Sequence, residues 1–211
     1  MVCLDGYHKI GILGGTFNPI HMGHLLMAEH AREYAGLDYV IIMPSGISYL
    51  KANTGVLPGD VRLKMVDLSI EGNPYFLSSD IEILREGNTY TYETLLQLKE
   101  MYPLADFYFI VGADSLFSME RWVKPTIIFD NCTILAAGRN NASKEELLRK
   151  KQYLEEQYHA NIMLMDFPEI EISSTHIRNC VRDGKSIRYM VMDEVLKFIE
   201  DNHLYQKQEI E

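Results

Sequence analysis

Cysteine is scarce in this sequence of 211 residues: Cys3, Cys132 and Cys180 stand singly, with no CxxC pair. That excludes a zinc ribbon and a disulfide scaffold, and fits a reducing compartment. Basic residues are also few, 20 Lys and Arg against 30 Asp and Glu, for a formal net charge of -10. The overall field repels DNA, RNA and acidic membranes, so neither nucleic acid nor membrane is an expected partner. No apolar run approaches the ~20 residues of a spanning helix. The opening MVCLDGYHKIGIL runs into a strand-like stretch without a cleavage site, so a cytoplasmic location is expected. The glycine patterns GxGxxG and GxxxxGK[ST] are missing as well. Any bound polyanion must therefore be met by a local cluster of donors built some other way.

With 47% hydrophobic and 24% charged residues the composition is that of a globular protein. A chain of this length buries about 70% of its unfolded surface, enough for a core without staples. Short β-favouring runs at 10–13, 39–43, 76–83, 107–111, 133–137 and 162–165 alternate with helical stretches near 20–35, 59–70, 92–101, 115–121 and 144–158. Such alternation predicts an α/β fold, Rossmann-like and doubly wound around a mostly parallel sheet. The last forty residues lack strands and read as two short helices, 174–183 and 191–201, a small helical C-terminal segment of about 172–205. No linker or repeat divides the chain, so a single domain over 1–211 is expected. Ligands of such sheets sit beyond the carboxyl ends of the strands, which directs attention to the loops after Leu13, Met43, Val111 and Ala137.

The first of these loops reads Gly14-Gly15-Thr16-Phe17-Asn18-Pro19-Ile20-His21-Met22-Gly23-His24. Two glycines let backbone approach a ligand, and Asn18-Pro19 offers an N-cap followed by a first-turn proline. His24 falls on the same helical face as Met27, Ala28 and Ala31, with His21 at its edge. Both imidazoles thus stand where unpaired N–H groups and the positive dipole end favour an anion such as phosphate. A partial metal site remains an alternative for two histidines at this spacing.

The second cluster is Ile172-Ser173-Ser174-Thr175-His176-Ile177-Arg178. Ser173 or Ser174 can cap a helix that stops at Gly184. Its first turn holds His176 and Arg178 where acids are normal, a conflict with the dipole that a bound anion would remove. The alternative is an exposed Arg178 reaching a surface carboxylate.

Together GGTFNPIHMGH and ISSTHIR resemble the two signature motifs of the nucleotidyltransferase superfamily with an HxGH loop. Thr89-Tyr90-Thr91-Tyr92-Glu93-Thr94-Leu95, then Val111-Gly112-Ala113-Asp114-Ser115-Leu116, then Trp122, are similar to the bacterial nicotinate mononucleotide adenylyltransferases from about residue 8 to 201. The resemblance implies ATP and nicotinate mononucleotide as substrates, nicotinate adenine dinucleotide and pyrophosphate as products in NAD synthesis, and Mg²⁺ carried by the ATP phosphates. It implies that Gly14, Gly15, Thr16, Phe17 and Gly23 line the nucleotide groove, and that His21, His24 and Arg178 contact the ATP phosphates, joined by Ser173 and Ser174. Asp114 would hold the ATP ribose and Arg139 would lie near adenine. Lys51 would reach a phosphate, Thr91 and Tyr92 the pyridine carboxylate, and Trp122 would stack on the pyridine ring, its alternative being a core-filling tryptophan.

Three positions depart from the family pattern. The family's Pro-His-Lys is here Ile47-Ser48-Tyr49-Leu50-Lys51, lacking the histidine; Asn18 replaces a common Asp, keeping the expected capping role; and Met192 replaces a proline before the last helix. The expected reaction is in-line attack of a mononucleotide phosphate oxygen on the α-phosphorus, with no covalent intermediate and no general base. Rivals are another adenylyl- or cytidylyltransferase, such as one acting on pantetheine phosphate, a catalytically silent nucleotide-binding module, and a redox Rossmann enzyme. Acid against amide pyridine substrate and the oligomeric state, homo-oligomer included, are open in the sequence.

Overall fold

The computed structural model describes residues 8–48, 55–138, 144–168 and 170–206. Its strands are β1 (Lys9–Gly15), β2 (Tyr39–Pro44), β3 (Ile47–Ser48), β4 (Phe76–Ser78), β5 (Asn88–Thr89), β6 (Asp106–Gly112), β7 (Thr133–Gly138) and β8 (Asn161–Asp166). Its helices are α1 (Met22–Ala35), α2 (Gly59–Ile70), α3 (Thr91–Met101), α4 (Ala113–Ser118), α5 (Pro125–Asn131), α6 (Lys144–Tyr158), α7 (Ser174–Arg182) and α8 (Asp193–Asp201). Six strands form one sheet in the order β4-β2-β1-β6-β7-β8, every described pairing parallel. This is the expected doubly wound α/β sheet, and its order reverses between β1 and β6, where a crevice opens at the strand ends.

Strand periodicity explains why both faces are buried. Ile10 and Ile12 of β1, Ile41 and Met43 of β2, and Ile134 and Ala136 of β7 point into one core with Leu95, Leu98, Ile128 and Leu154 from the helices on that side. The alternate positions Leu13, Val40, Ile42, Leu135 and Ala137 point into the other, against Leu25, Ala28, Met65, Ile177 and Val195. The C-terminal helices α7 and α8 therefore share a face of the sheet with α1 and α2. Met22, the first residue of α1, donates its N–H to Met190 O at 2.9 Å. The late segment is thereby tied to the start of the first helix.

Several expectations are corrected. The strand predicted over 76–83 ends at Ser78; the Ile81 N–H turns back to Ser79 Oγ at 3.4 Å and the Leu84 N–H to Asp80 O at 2.9 Å, so local side-chain and turn bonds outcompete the ladder. Ile81 is still 9% exposed, packed in the core without being a strand. The helix predicted at 115–121 is α4 followed by a 3-10 turn over Met119–Arg121. Three elements were absent from the sequence reading: α5, opened by a proline in its first turn, and the two short parallel strands β3 and β5. Among the described residues no helix is long and apolar enough to cross a membrane.

Candidate active site

β1 delivers Gly14 and Gly15 to the end of the sheet, paired with Met43 and Pro44 of β2. The chain then doubles back so that the Phe17 ring lies over Gly15, where a Cβ would meet it at 2.9 Å. A side chain at 15 would displace that ring. Phe17 is 2% exposed and holds φ 47°, and Asn18-Pro19 is a cis peptide.

Asn18 does not cap α1, contrary to expectation; His21 does, in extended conformation. Asn18 is buried and works as a hub instead. Its Nδ2 donates to Gly55 O at 3.0 Å, while its Oδ1 accepts from the Leu57 N–H at 3.3 Å and from the Tyr205 hydroxyl at 2.9 Å. Burial holds the Tyr205 phenol well above its ordinary range, so it stays a donor. One amide thereby satisfies the loop after β1, the approach to α2 and the C-terminal segment.

The two histidines are stacked, ring centroids 3.6 Å apart at 22°. His21 is 7% exposed, and its backbone N–H donates to His24 Nδ1 at 3.2 Å. That bond fixes the tautomer: with Nδ1 accepting, a neutral His24 carries its proton on Nε2. Gly23 gives the His21 ring its room, since a Cβ there would stand 3.2 Å from Cε1 and Nδ1. Phe17 meets His24 edge-on at 4.9 Å.

α7 closes on this loop from the far end of the sequence. Ser173 is its N-cap and accepts the His176 N–H at 3.2 Å, which decides between the two serines. Ser174 is left to donate from Oγ to Pro19 O at 2.8 Å. Arg178 donates from Nη1 to Asn18 O at 2.9 Å and from Nη2 to Thr175 Oγ1 at 3.2 Å. It reaches no surface carboxylate among the described residues, so that alternative is set aside.

Between the loop, α7 and the end of β6 lies a cavity of about 490 Å³, within the range of small-ligand sites. Gly14, Gly15, Thr16, Phe17, His24, Asp114, Trp122, Ser174 and Arg178 all line it. A smaller neighbour of about 240 Å³ is lined by His21, Gly23, Ser173 and Phe167 and shares His24, Met27 and Ser174 with the first. Trp122 does two things: its ring meets Phe109 edge-on at 6.2 Å, and it also borders the cavity. Among the described residues, Asp114 is the one acid in the larger lining and Arg178 its one permanent cation.

Thr91 and Tyr92 open α3 and lie outside that lining. The Tyr92 hydroxyl donates to Glu93 Oε1 at 2.7 Å, and Lys124 Nζ stands 4.4 Å from the centre of its ring. Below them Thr94 Oγ1 donates to Glu82 Oε1 at 2.8 Å and accepts from Arg85 Nη1 at 2.9 Å. Burial raises the Glu82 carboxyl above the ordinary range. Lys51 and Arg139 lie outside the described residues.

The sequence reading missed Tyr205, the hub role of Asn18, and Arg62. Arg62 is 3% exposed and donates from Nη1 to Thr16 O at 2.8 Å, from Nη2 to Ser45 O at 2.7 Å and from Nε to Leu57 O at 2.9 Å. A signal existed: positions 62, 65, 66 and 69 form the buried stripe of α2, and an arginine on an apolar stripe needs a reason.

Comparison with known proteins supplies the context. A family model described as cytidylyltransferase-like matches residues 12–180. A protein of Lachnoclostridium phytofermentans named "Probable nicotinate-nucleotide adenylyltransferase" is 43% identical over 197 residues, covering 93% of this chain and 98% of its own. One of the same name from Clostridium beijerinckii is 41% identical over 201 residues, covering 93% and 98%. Among solved structures, the Plasmodium falciparum nicotinic acid mononucleotide adenylyltransferase complexed with NaAD superimposes with a TM-score of 0.77 over 94% of this chain and 97% of that one. At 19% identity that likeness speaks for the fold alone.

Proposed function

The chain belongs to the cytidylyltransferase-like family, and within it we propose that it transfers the adenylyl group of ATP to nicotinate mononucleotide, giving nicotinate adenine dinucleotide and pyrophosphate. The observation that carries this reading is the convergence of His24, Ser174 and Arg178 on one cavity at the carboxyl ends of β1 and β6, in a chain with near-full-length relatives named for this activity.

A phosphate oxygen of the mononucleotide attacks the α-phosphorus of ATP; that P–O bond forms as the bond to the β-phosphate oxygen breaks, and pyrophosphate leaves with the charge. The attacking phosphate is already ionised at neutral pH, so the protein contributes alignment and electrostatic stabilisation. His24, with Nε2–H as donor, and Arg178 face the phosphates across the cavity. His21 orients His24 through its backbone N–H, Ser173 caps α7, Ser174 ties that helix to Pro19, and Gly23 leaves room for the His21 ring. Gly14, Gly15, Thr16 and Phe17 let the nucleotide backbone pass close to the sheet. Asp114 receives the ribose hydroxyls of ATP, and Trp122 offers its ring to the pyridine. Thr91 and Tyr92 recognise the pyridine carboxylate once that segment meets the ligand, and Lys51 and Arg139 add charge at the phosphate and adenine ends. Asp114 alone makes no carboxylate cage, so Mg²⁺ enters as part of MgATP, held by phosphate oxygens and water.

Purified protein with ATP, Mg²⁺ and a panel of mononucleotides, assayed for pyrophosphate, tests the reading. Release with nicotinate mononucleotide far above nicotinamide mononucleotide and pantetheine phosphate is the expected result; release with pantetheine phosphate alone, or with none, overturns it.

A further inference from the structure

Arg62 presents a problem that its hydrogen bonds do not solve. The Arg62 side chain is almost fully buried in the first turn of α2, and all three of its bonded acceptors are neutral main-chain oxygens. None of the ion pairs among the described residues includes it. Among the described residues, the ionisable group that influences it is Tyr205, which burial keeps protonated and neutral. A buried cation without a counter-ion is costly, and three carbonyl dipoles offset only part of that cost. Neutral donors would serve to staple three loops, so the retained charge calls for a partner.

The position of Arg62 indicates the partner. One of its acceptors is the main-chain oxygen of Thr16, a residue that lines the cavity. Within the described lining the permanent charges of Asp114 and Arg178 cancel. Arg62, bonded to the Thr16 carbonyl of that lining, tips the local balance positive inside a protein whose formal net charge is -10. Because the side chain is largely shielded from solvent, its field on the cavity is less screened than that of a surface charge.

We infer that Arg62 is the buried counter-charge for the phosphates of a nucleotide held over the 14–16 backbone. It acts through that backbone without touching the ligand, and is a positioning residue that also charges the lining. The inference rests on the reading that the cavity takes a nucleoside triphosphate.

The test separates charge from stapling. Dissociation constants for ATP, AMP and adenosine are measured by equilibrium dialysis on wild type, Arg62→Lys and Arg62→Gln. Removing the charge in Arg62→Gln is expected to weaken ATP about tenfold or more, AMP less, and adenosine less than about twofold. Arg62→Lys, which keeps the charge and loses the fork, is expected to hold ATP within about threefold of wild type. Equal losses for all three ligands, or a folded Arg62→Lys that has lost ATP tenfold, overturn the inference while leaving the nucleotide reading standing. If Arg62→Gln does not fold, Arg62→Lys decides alone. Wild-type protein that binds none of the three overturns the nucleotide reading and this inference with it.

Discussion

Arg178 donates a 2.9 Å hydrogen bond to the main-chain oxygen of Asn18, 160 positions earlier in the chain. With the Ser174 Oγ bond to Pro19 O, it joins two segments that share no secondary structure across the edge of the cavity. It engages one terminal nitrogen of the planar guanidinium, and the bond from the other to Thr175 fixes the plane. The group is therefore set before any ligand arrives, which is the condition under which a charge contributes most to a transition state.

Replacing Arg178 with Ala should lower turnover by about 10²–10³, with a smaller change in the KM for ATP. Arg178→Lys should recover only part, because an ammonium cannot hold Asn18 O and Thr175 Oγ1 together. Steady-state pyrophosphate release checks both; wild-type turnover in Arg178→Ala would remove this residue from the chemistry.

His24→Ala should also reduce turnover by about 10²–10³, equivalent to about 3–4 kcal/mol. His24→Asn, which can accept the His21 N–H, separates capping from chemistry. If the asparagine variant melts like wild type and is as inactive as alanine, the imidazole acts on the ligand; full activity in either variant would assign it a structural part only.

Trp122→Ala should raise the KM for the pyridine mononucleotide several-fold more than that for ATP, since stacking is lost on one substrate alone. The edge contact with Phe109 disappears too, so a drop in melting temperature accompanies it. Equal KM changes for both substrates would confine Trp122 to packing.

Tyr205→Phe deletes one bond to the Asn18 hub and should cost about 1 kcal/mol, read from urea unfolding. Asn18→Ala should cost more, because the Leu57 N–H and the Tyr205 hydroxyl both lose their acceptor. Equal stability of Asn18→Ala and wild type would show that the hub carries no net energy.

Glu82 gives stability a pH dependence of definite sign. Burial raises its folded-state carboxyl above the unfolded value, so the folded chain binds that proton more tightly. Its contribution is complete below the unfolded pKa and is lost as pH rises through the folded one. Relative to Glu82→Gln, wild type should therefore lose stability as pH rises above the ordinary carboxylate range. A difference between the two that stays constant over that rise would place the Glu82 titration at its ordinary position.

The sheet was legible because its strands are short β-favouring runs with a two-residue alternation that the two cores require, as at Ile41, Ile42 and Met43. The motifs were legible because each is continuous in sequence: the loop from Gly14 to His24 and the cap from Ser173 to Arg178. What escaped was built from pairs distant in sequence. Asn18 looked like a cap because local chemistry allows it; its partners at Gly55, Leu57 and Tyr205 exist only after folding. Ile81 and Ile83 extended an apolar run into a turn, since burial alone does not distinguish strand from packed loop. α5 was too short for periodicity to mark, and only its proline hinted at a start.

The bonds from Ser174, Arg178 and Tyr205 back to Pro19 and Asn18 also set an order in time. During synthesis the glycine loop emerges early and waits for its lid of donors while the remaining strands are still being made. On the proposed reading, a nascent chain that has not yet extruded residue 178 holds only half of the phosphate site, and a stalled or clipped product shorter than that is expected to bind nucleotide poorly, whatever part of the sheet it has managed to assemble.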